Sequence, residues 1–259
     1  MEQLLVNSPQ FFISAGLLSV RLGIVFLMTP LLGVFGLPVR FKVLLIAIMS
    51  SALIYGVPEW RSPVQAEAIG WLIPFLRELA LGLAMSLGVF SAFSAISVAG
   101  KILDTQMGYG IAQVFDPSTH RQLSIVSGTF NQFSVVLFFI LDFHHILLRG
   151  LATSIEIYPL GTEWPISEFG MALIKQFGGL FALGFAFIAP IIFCILLVEF
   201  ALSVLTRSLP QLHMFTLGIP LKIIVGLFAL AIWLTGANEL LKKVYNAIFE
   251  SWKVMLQYG

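Results

Sequence analysis

The side chains most able to carry chemistry in this sequence are four charges inside apolar stretches. They are Arg21, Arg77, Glu78 and Glu199. A charge in such a setting is costly and is normally either functional or paired. Arg77 and Glu78 point about 100° apart on a helix and need not pair with each other. We therefore expect Glu78 to pair with Arg21 across helices and Glu199 to pair with another subunit, and a proton relay remains the alternative.

Four histidines are the possible metal ligands. His144 and His145 lie close to Asp142, whereas His120 and His213 are remote. Adjacent histidines cannot both face one ion from a regular helix, and zinc needs several convergent ligands. We therefore expect no metal site, and polar residues at a helix end explain the cluster.

Other catalytic patterns do not occur in the sequence. It contains no acyl-transfer triad, no phosphate-binding glycine loop and no metalloprotease helix. The single cysteine, Cys194, lies in an apolar run and is expected to be a small buried side chain. These observations favour a non-enzymatic protein without a cofactor.

The composition indicates a membrane protein. Hydrophobic residues make up 59% of the 259 residues and charged residues 10%, against about 45–50% and about 25% in soluble domains. A net charge of +1 argues against nucleic-acid binding. The N-terminal Met-Glu-Gln-Leu-Leu has no basic region before an apolar core, so we expect no cleaved signal peptide.

Six apolar stretches predict an all-α, polytopic membrane-class fold. They cover residues 11–37, 43–57, 69–99, 123–141, 177–205 and 221–237. A spanning helix needs about 20 residues, so these uneven lengths also fit long helices packed on protein. We expect the last helix to continue past Asn238 as an amphipathic tail, either interfacial and partner-binding or simply a surface helix.

Small residues recur at helical spacing in two stretches. Ser91, Ala95 and Ala99 form one stripe, and the other consists of Gly178, Ala182, Ala186 and Pro190. Such stripes allow helix backbones to approach closely where no hydrophobic drive exists. We expect these helices to contact protein more than lipid.

A polar segment, residues 101–121, separates the third and fourth stretches. Its notable residues are Lys101, Asp104, Gln106, Met107, Gly108, Tyr109, Gly110, Phe115, Asp116 and Pro117. Irregular backbone at membrane depth is tolerated only where protein or a water-filled cavity satisfies its polar groups. The segment is therefore predicted to be a pore, a plug or a ligand site. Its Gly-Tyr-Gly matches part of a potassium filter, but the surrounding helices do not.

The last two stretches predict a helical hairpin with its tip between Thr206 and Lys222. The tip contains Pro210, Gln211, Phe215, Gly218, Pro220 and Lys222.

Taken together, these motifs resemble the FliR family of flagellar type III export-gate proteins. The resemblance rests on Arg77-Glu78-Leu-Ala-Leu-Gly82, Ala99-Gly100, Gln106-Met107-Gly108, Phe115-Asp116-Pro117 and the hairpin-tip residues, and it covers about residues 11–247. The family includes injectisome counterparts (SctT) in virulence secretion, and Phe115-Asp116-Pro117 looks more flagellar. His213 departs from the asparagine expected in the Pro-Gln-x-Asn-x-Phe pattern.

The resemblance implies an architecture. Residues 1–168 would be FliP-like and carry the plug loop, and residues 169–259 would be a FliQ-like hairpin with its amphipathic tail. One copy would close a spiral ring of FliP and FliQ in the bacterial inner membrane, at the flagellar basal body. The expected partners are FliP, FliQ, FlhB and unfolded export substrates.

The resemblance also implies roles for the site residues. Tyr109 and Phe115 would be stoppers of a luminal plug, while Gly108 and Gly110 would let its backbone yield. The base would be formed by Lys101, Asp104 and Gln106, and Asp116-Pro117 would start the returning helix.

Two alternatives stay open. The hairpin tip would meet FlhB or neighbouring FliQ copies, or be a plain helix–turn–helix loop. A secondary transporter using Arg77, Glu78 and Glu199 around a broken helix is the other functional reading.

Overall fold

The structure is a computed structural model that describes residues 8–33, 36–60, 62, 70–109, 125–208, 214–236 and 238–257. All regular secondary structure in these residues is helical, which confirms the all-α prediction. The α-helices are α1 Ser8–Met28, α2 Val39–Gly56, α3 Leu72–Met107, α4 Ile125–Ile140, α5 Phe143–Ile157, α6 Ile166–Ser208, α7 Met214–Leu234 and α8 Asn238–Gln257. Two short 3-10 helices, Pro30–Leu32 and Pro58–Trp60, follow α1 and α2.

Several helices are long and apolar enough to cross a membrane. There are five in the described residues, or six if α4 and α5, which bend by 73° at their junction, form one span. This confirms the polytopic membrane class. At 36 and 43 residues, α3 and α6 far exceed the length that a bilayer requires, which is about 20 residues. Part of each therefore lies outside the hydrocarbon or packs on protein.

The third helix is longer than the sequence predicted. The polar segment was expected to begin at residue 101, but α3 continues to Met107. Lys101 and Gln106 therefore lie on its last two turns, and the loop itself starts at Gly108. The polar side chains at this end have partners: Thr105 Oγ1 donates to the Lys101 carbonyl at 3.0 Å, and the Asp104 carboxylate accepts a hydrogen bond from the start of α4.

Two other boundaries differ from the prediction. Helix α5 was not predicted, because it lies between the fourth and fifth apolar stretches, yet Phe143, Leu147 and Leu151 are buried at a four-residue spacing. The last apolar helix was expected to continue past Asn238. It ends instead at Leu234, and Gly236 lies in a turn before the separate helix α8.

The hairpin tip is shorter than predicted. Helix α6 extends to Ser208 and α7 begins at Met214. Helix α7 therefore includes Phe215, Gly218, Pro220 and Lys222, which the sequence had placed in the tip. Pro210 and Gln211 lie outside the described residues.

Contacts group the chain into two compact units. One comprises Met1–Ser91, Leu137–Phe177 and Ala247–Gly259, and the other comprises Ala92–Val136 and Gly178–Asn246. The predicted FliP-like and FliQ-like parts are statements about resemblance to other proteins, and they stay predictions.

The core of the first unit contains an aromatic cluster and a tight glycine contact. Phe143 stacks on Phe138 and Phe249 with ring centroids 5.9 Å apart in both pairs. The buried Trp252 packs against Gly150, where an added Cβ would lie 2.7 Å from the indole ring. Glycine at position 150 is therefore what lets α5 approach α8 closely.

The core of the second unit is built on close backbone approach. A Cβ added at Gly184 would lie 2.9 Å from the Ala95 carbonyl oxygen, so α6 and α3 touch there. Tyr245 donates to the Ser134 carbonyl at 2.6 Å, and burial raises the pKa of Tyr245 well above its usual value.

The two small-residue stripes differ in exposure. The stripe of Ser91, Ala95 and Ala99 is buried, as expected for protein contact. The other stripe, residues 178, 182, 186 and 190, is exposed in the isolated chain. Its contact with another polypeptide stays a prediction.

Candidate functional site

The predicted plug segment emerges from a compact junction between α3 and α4, which we call the loop base (residues 97–109 and 125–131). Gly100 allows the two helices to meet, because a Cβ there would lie 2.7 Å from Ser127 Cα. The hydroxyl of Ser127 donates to the Ser97 carbonyl, and Asn131 Nδ2 donates to Ser97 Oγ, both at 3.2 Å. Small and polar side chains thus hold the helices together.

Asp104 joins the end of α3 to the start of α4. Its carboxylate accepts hydrogen bonds from the backbone N–H groups of Val126 at 2.8 Å and Ser127 at 3.0 Å. The first N–H groups of a helix have no partner within the helix, and a negative charge is favourable beside them. Since Asp104 is also buried, these bonds fix the end of α3 against the start of α4.

Met107 and Gly108 determine how the chain leaves the end of α3. Met107 is fully buried and packs over Gly226 of α7, where an added Cβ would lie 2.7 Å from Met107 Cε. Gly108 has a φ of 91°, a left-handed conformation that is strained for any residue with a side chain. The chain therefore leaves α3 sharply at a glycine, immediately after an anchored methionine, and Tyr109 is half-buried beyond it.

The other predicted plug residues are only partly described. Lys101 and Gln106 line a shallow groove of about 240 Å³ on α3, with Lys101 exposed. Gly110, Phe115, Asp116 and Pro117 lie outside the described residues. The structure thus brings Lys101, Asp104, Gln106 and Met107 to one end of α3, while their roles in a plug stay predictions.

A buried ion pair joins α1 and α3. Arg21 donates to Glu78 from Nε at 2.5 Å and from Nη2 at 2.8 Å, and both side chains are at most 2% exposed. This confirms the predicted pairing. The guanidinium also donates to the carbonyls of Ser154 and Tyr158, each at 3.0 Å, and Glu78 accepts from the Gly161 N–H at 2.8 Å. The pair therefore also organises the turn after α5.

Arg77 contacts a different set of atoms, as its position beside Glu78 predicted. It pairs with Glu163 and donates to the Gly161 carbonyl at 3.3 Å. Nearby, burial together with the Glu168 carboxylate raises the pKa of Tyr158. Arg77 and Glu78 thus hold the same turn from two sides.

Glu199 was expected to pair with another subunit, and this was wrong. Its carboxylate contacts Lys222 Nζ of the same chain at 2.5 Å, which links α6 to α7. The side chain of Lys222 is only 16% exposed, because the pair folds it against the helices. Lys222 is therefore engaged within the hairpin.

The geometry of the carboxylates favours a structural role. Both oxygens of Glu78 and both oxygens of Asp104 accept hydrogen bonds from described residues. A carboxylate held in this way is poorly placed to pass protons along a relay. The arrangement fixes helix ends and turns, which suits a structural scaffold.

Some functional contacts gave no signal in the sequence. The carbonyls of Ser154 and Tyr158 reach Arg21 across more than 130 residues, and a backbone acceptor has no distinctive residue type. Gly226 could have been noticed as a small residue, but its partner Met107 depends on the fold.

The chain is similar to proteins of bacterial export systems. The model of the family described as "Bacterial export proteins, family 1" matches residues 12–248. The flagellar biosynthetic protein FliR of Bacillus subtilis (strain 168) is 25% identical over 243 residues, 93% of each chain. That of Aquifex aeolicus (strain VF5) is 27% identical over 254 residues, 97% of each chain. The secretion system apparatus protein SsaT of Salmonella typhimurium is 30% identical over 163 residues, 62% of this chain and 63% of SsaT.

Proposed function

This chain belongs to the bacterial export proteins of family 1, and we propose that it is a non-enzymatic core component of a flagellar type III protein export gate. Flagellar relatives match 93% and 97% of its length, whereas SsaT matches 62%. An injectisome role is the second candidate, favoured by the 30% identity to SsaT. The proposed location is the bacterial inner membrane, in the flagellar basal body.

The loop base is the observation that carries the proposed mechanism. The Asp104 carboxylate holds the start of α4 beside the end of α3, so the two helices that flank residues 108–124 meet at one place. We propose that this segment is a luminal plug, with Tyr109 and Phe115 as its apolar stoppers and Asp116-Pro117 beginning the return toward α4.

A plug must move aside while the helices that hold it stay packed. The buried Met107 and the Asp104 hydrogen bonds fix the base, whereas Gly108 already has a backbone conformation that favours glycine. Gly108 and Gly110 would absorb the change in backbone angles as an unfolded chain passes. An unfolded substrate would displace the aromatic side chains, and the aromatic side chains would reseal the channel after it.

The proposal requires partners. Helices α6 and α7 are mostly exposed in the isolated chain: only 28% and 11%, respectively, of their most apolar segments are buried. Apolar surface on this scale is covered in a membrane assembly by lipid or by other helices. We propose that FliP and FliQ cover it in a spiral ring to which this chain contributes one copy, with residues 1–168 FliP-like and 169–259 FliQ-like.

Ion leakage through the assembled gate tests the plug. In gates reconstituted with FliP and FliQ, deletion of residues 108–115 and the milder Tyr109→Ala/Phe115→Ala variant should both raise ion flux. Thr129→Ala, at an exposed position of α4, is the matched control, because it changes neither a stopper nor a residue proposed to anchor the plug, and its flux should equal that of the unmodified gate. Unchanged flux in both plug variants would contradict the proposal.

The hairpin tip is proposed to meet FlhB or neighbouring FliQ copies at the cytoplasmic entrance. Pro210→Ala/Gln211→Ala should reduce co-purification of FlhB. Thr235→Ala, an exposed residue just after the opposite end of α7, is the control and should retain FlhB. Equal recovery from both variants would leave a plain helix–turn–helix loop as the better description.

The transporter alternative makes a different prediction. A secondary transporter acts alone, so the chain by itself in liposomes should then take up solute and lose uptake in Glu78→Gln. The saturated hydrogen bonding of Glu78 argues against this, and we expect no uptake by the isolated chain.

A further inference from the structure

We propose that Asp142, His144 and His145 form a binding site for a divalent transition-metal ion of the zinc class. One ligand atom from each of the three side chains lies within 4.8 Å of the others. Asp142 Oδ1 is 3.4 Å from His145 Nδ1, which is close to the spacing of about 3.4 Å between ligands that sit about 2.1 Å from a tetrahedral zinc.

The backbone at Asp142 places its carboxylate beside two histidines whose rings already lie close together. The sequence argued against a metal site, because neighbouring side chains diverge on a regular helix. Asp142 is not in a regular helix: it has a φ of 59°, in the left-handed region, at the junction between α4 and α5. His144 and His145 occupy the first turn of α5, and their ring centroids are 4.0 Å apart.

Two polar groups of the cluster lack the partners that such groups normally have. Asp142 is the N-cap residue of α5, yet its side chain makes no capping hydrogen bond, unlike most N-cap aspartates. The Nδ1 atom of His144 is buried and has no hydrogen-bond partner within the described part of the chain. The ring of Phe139, 5.3 Å away, covers one side of His144. A bound cation would engage both the carboxylate and an imidazole nitrogen.

The N-terminus of a helix disfavours a cation, because its free N–H groups carry partial positive charge. The Asp142 carboxylate must offset this, so it should be essential for affinity. Imidazole and carboxylate together suit Zn²⁺, Ni²⁺ and Cu²⁺ better than Mg²⁺ or Ca²⁺. An ion at this point would fix the junction at which α4 and α5 bend by 73°.

Metal titration of the full-length chain in detergent tests the site, with a purification tag that contains no histidine. Calorimetry with Zn²⁺ should show one binding event per chain, and Co²⁺ should give visible absorption bands. His144→Gln/His145→Gln should weaken Zn²⁺ binding by at least about tenfold and abolish the Co²⁺ bands. Asp142→Asn should weaken binding to a similar extent.

The other two histidines provide the matched control. His120→Gln/His213→Gln removes the same number of imidazoles and should leave Zn²⁺ affinity and the Co²⁺ spectrum unchanged. Thermal melting in EDTA checks that each variant is folded. If His144→Gln/His145→Gln fails this check, Asp142→Asn alone tests the site. No saturable Zn²⁺ binding by the unmodified chain, or equal affinity in folded Asp142→Asn, would overturn the proposal.

Discussion

Replacing Glu78 by glutamine probes the buried ion pair with almost no change in side-chain shape. Glu78 accepts two hydrogen bonds from Arg21 and one from the Gly161 N–H. Glutamine keeps one oxygen acceptor, but its amide group would face a guanidinium that can only donate. At least one N–H of Arg21 then lacks a partner, and its charge is left uncompensated in the interior.

The size of the effect follows from this geometry. A hydrogen bond to a charged group contributes about 1.5–3 kcal/mol, and removing one partner of a buried pair costs about 3–5 kcal/mol. We therefore expect Glu78→Gln to lower the free energy of unfolding by about 3–5 kcal/mol. The neighbouring pair is the control: Glu163 is 83% exposed, so Glu163→Gln should cost less than about 1 kcal/mol.

Denaturant unfolding in detergent, followed by tryptophan fluorescence, measures both differences. Adding Arg21→Met to Glu78→Gln should destabilise less than the sum of the two single changes, because the double variant leaves no unpaired charge. Two results would contradict this account of the buried network. One is that Glu78→Gln lowers the free energy of unfolding no more than Glu163→Gln does. The other is that the effects of Arg21→Met and Glu78→Gln on that free energy are additive.

Three further predictions concern the loop base and the hairpin. Gly100→Ala should lower the melting temperature, because its Cβ would lie 2.7 Å from the Ser127 backbone. Gly128→Ala, which meets no atom within 4 Å, should leave it unchanged or higher, and equal effects would refute the close approach. Asp104→Asn should cost about 1–2 kcal/mol of unfolding free energy, since a charge at a helix N-terminus is lost; a cost near zero would mean that the carboxylate does not hold the loop base. Glu199→Gln removes a half-exposed pair with Lys222 and should cost less than about 1 kcal/mol in the same assay, whereas a larger loss would mean that the pair is buried in the folded protein.

Sequence patterns predicted the helical class and one long-range contact correctly. Glu78 and Arg21 are 57 residues apart, but each is a costly charge in an apolar helix, and opposite charges in that setting pair. The further partners were not predictable, because the carbonyls of Ser154 and Tyr158 carry no residue-specific signal. A charged side chain in an apolar helix is visible in the sequence, so its pairing can be predicted. A backbone carbonyl belongs to every residue, so it is identified as a partner only when the fold is known.

The errors in helix boundaries have physical causes. Helix α5 contains polar residues and was therefore left outside the apolar stretches, although its buried residues Leu147, Leu151 and Ile155 recur every four positions. The polar residues at the end of α3 were likewise taken as loop. Asp104 accepts a hydrogen bond from a backbone N–H group 22 residues later in the chain, at the start of α4, and this distance hides the contact from the sequence. The end of α3 thus depends on a tertiary partner that no local pattern reveals, whereas α5 has a helical pattern that was overlooked.

Cross-linking from Tyr109 to a substrate held in transit tests the central claim most directly, since it asks whether the plug segment lies in the path of export. In a Cys194→Ser background, Tyr109→Cys should form a cross-link with a stalled flagellar substrate that carries cysteines. Phe12→Cys, which is exposed on α1, is the control and should form none. A substrate cross-link at Tyr109→Cys above the level of this control is the predicted result, and its absence while the same substrate is stalled in the gate would contradict the account.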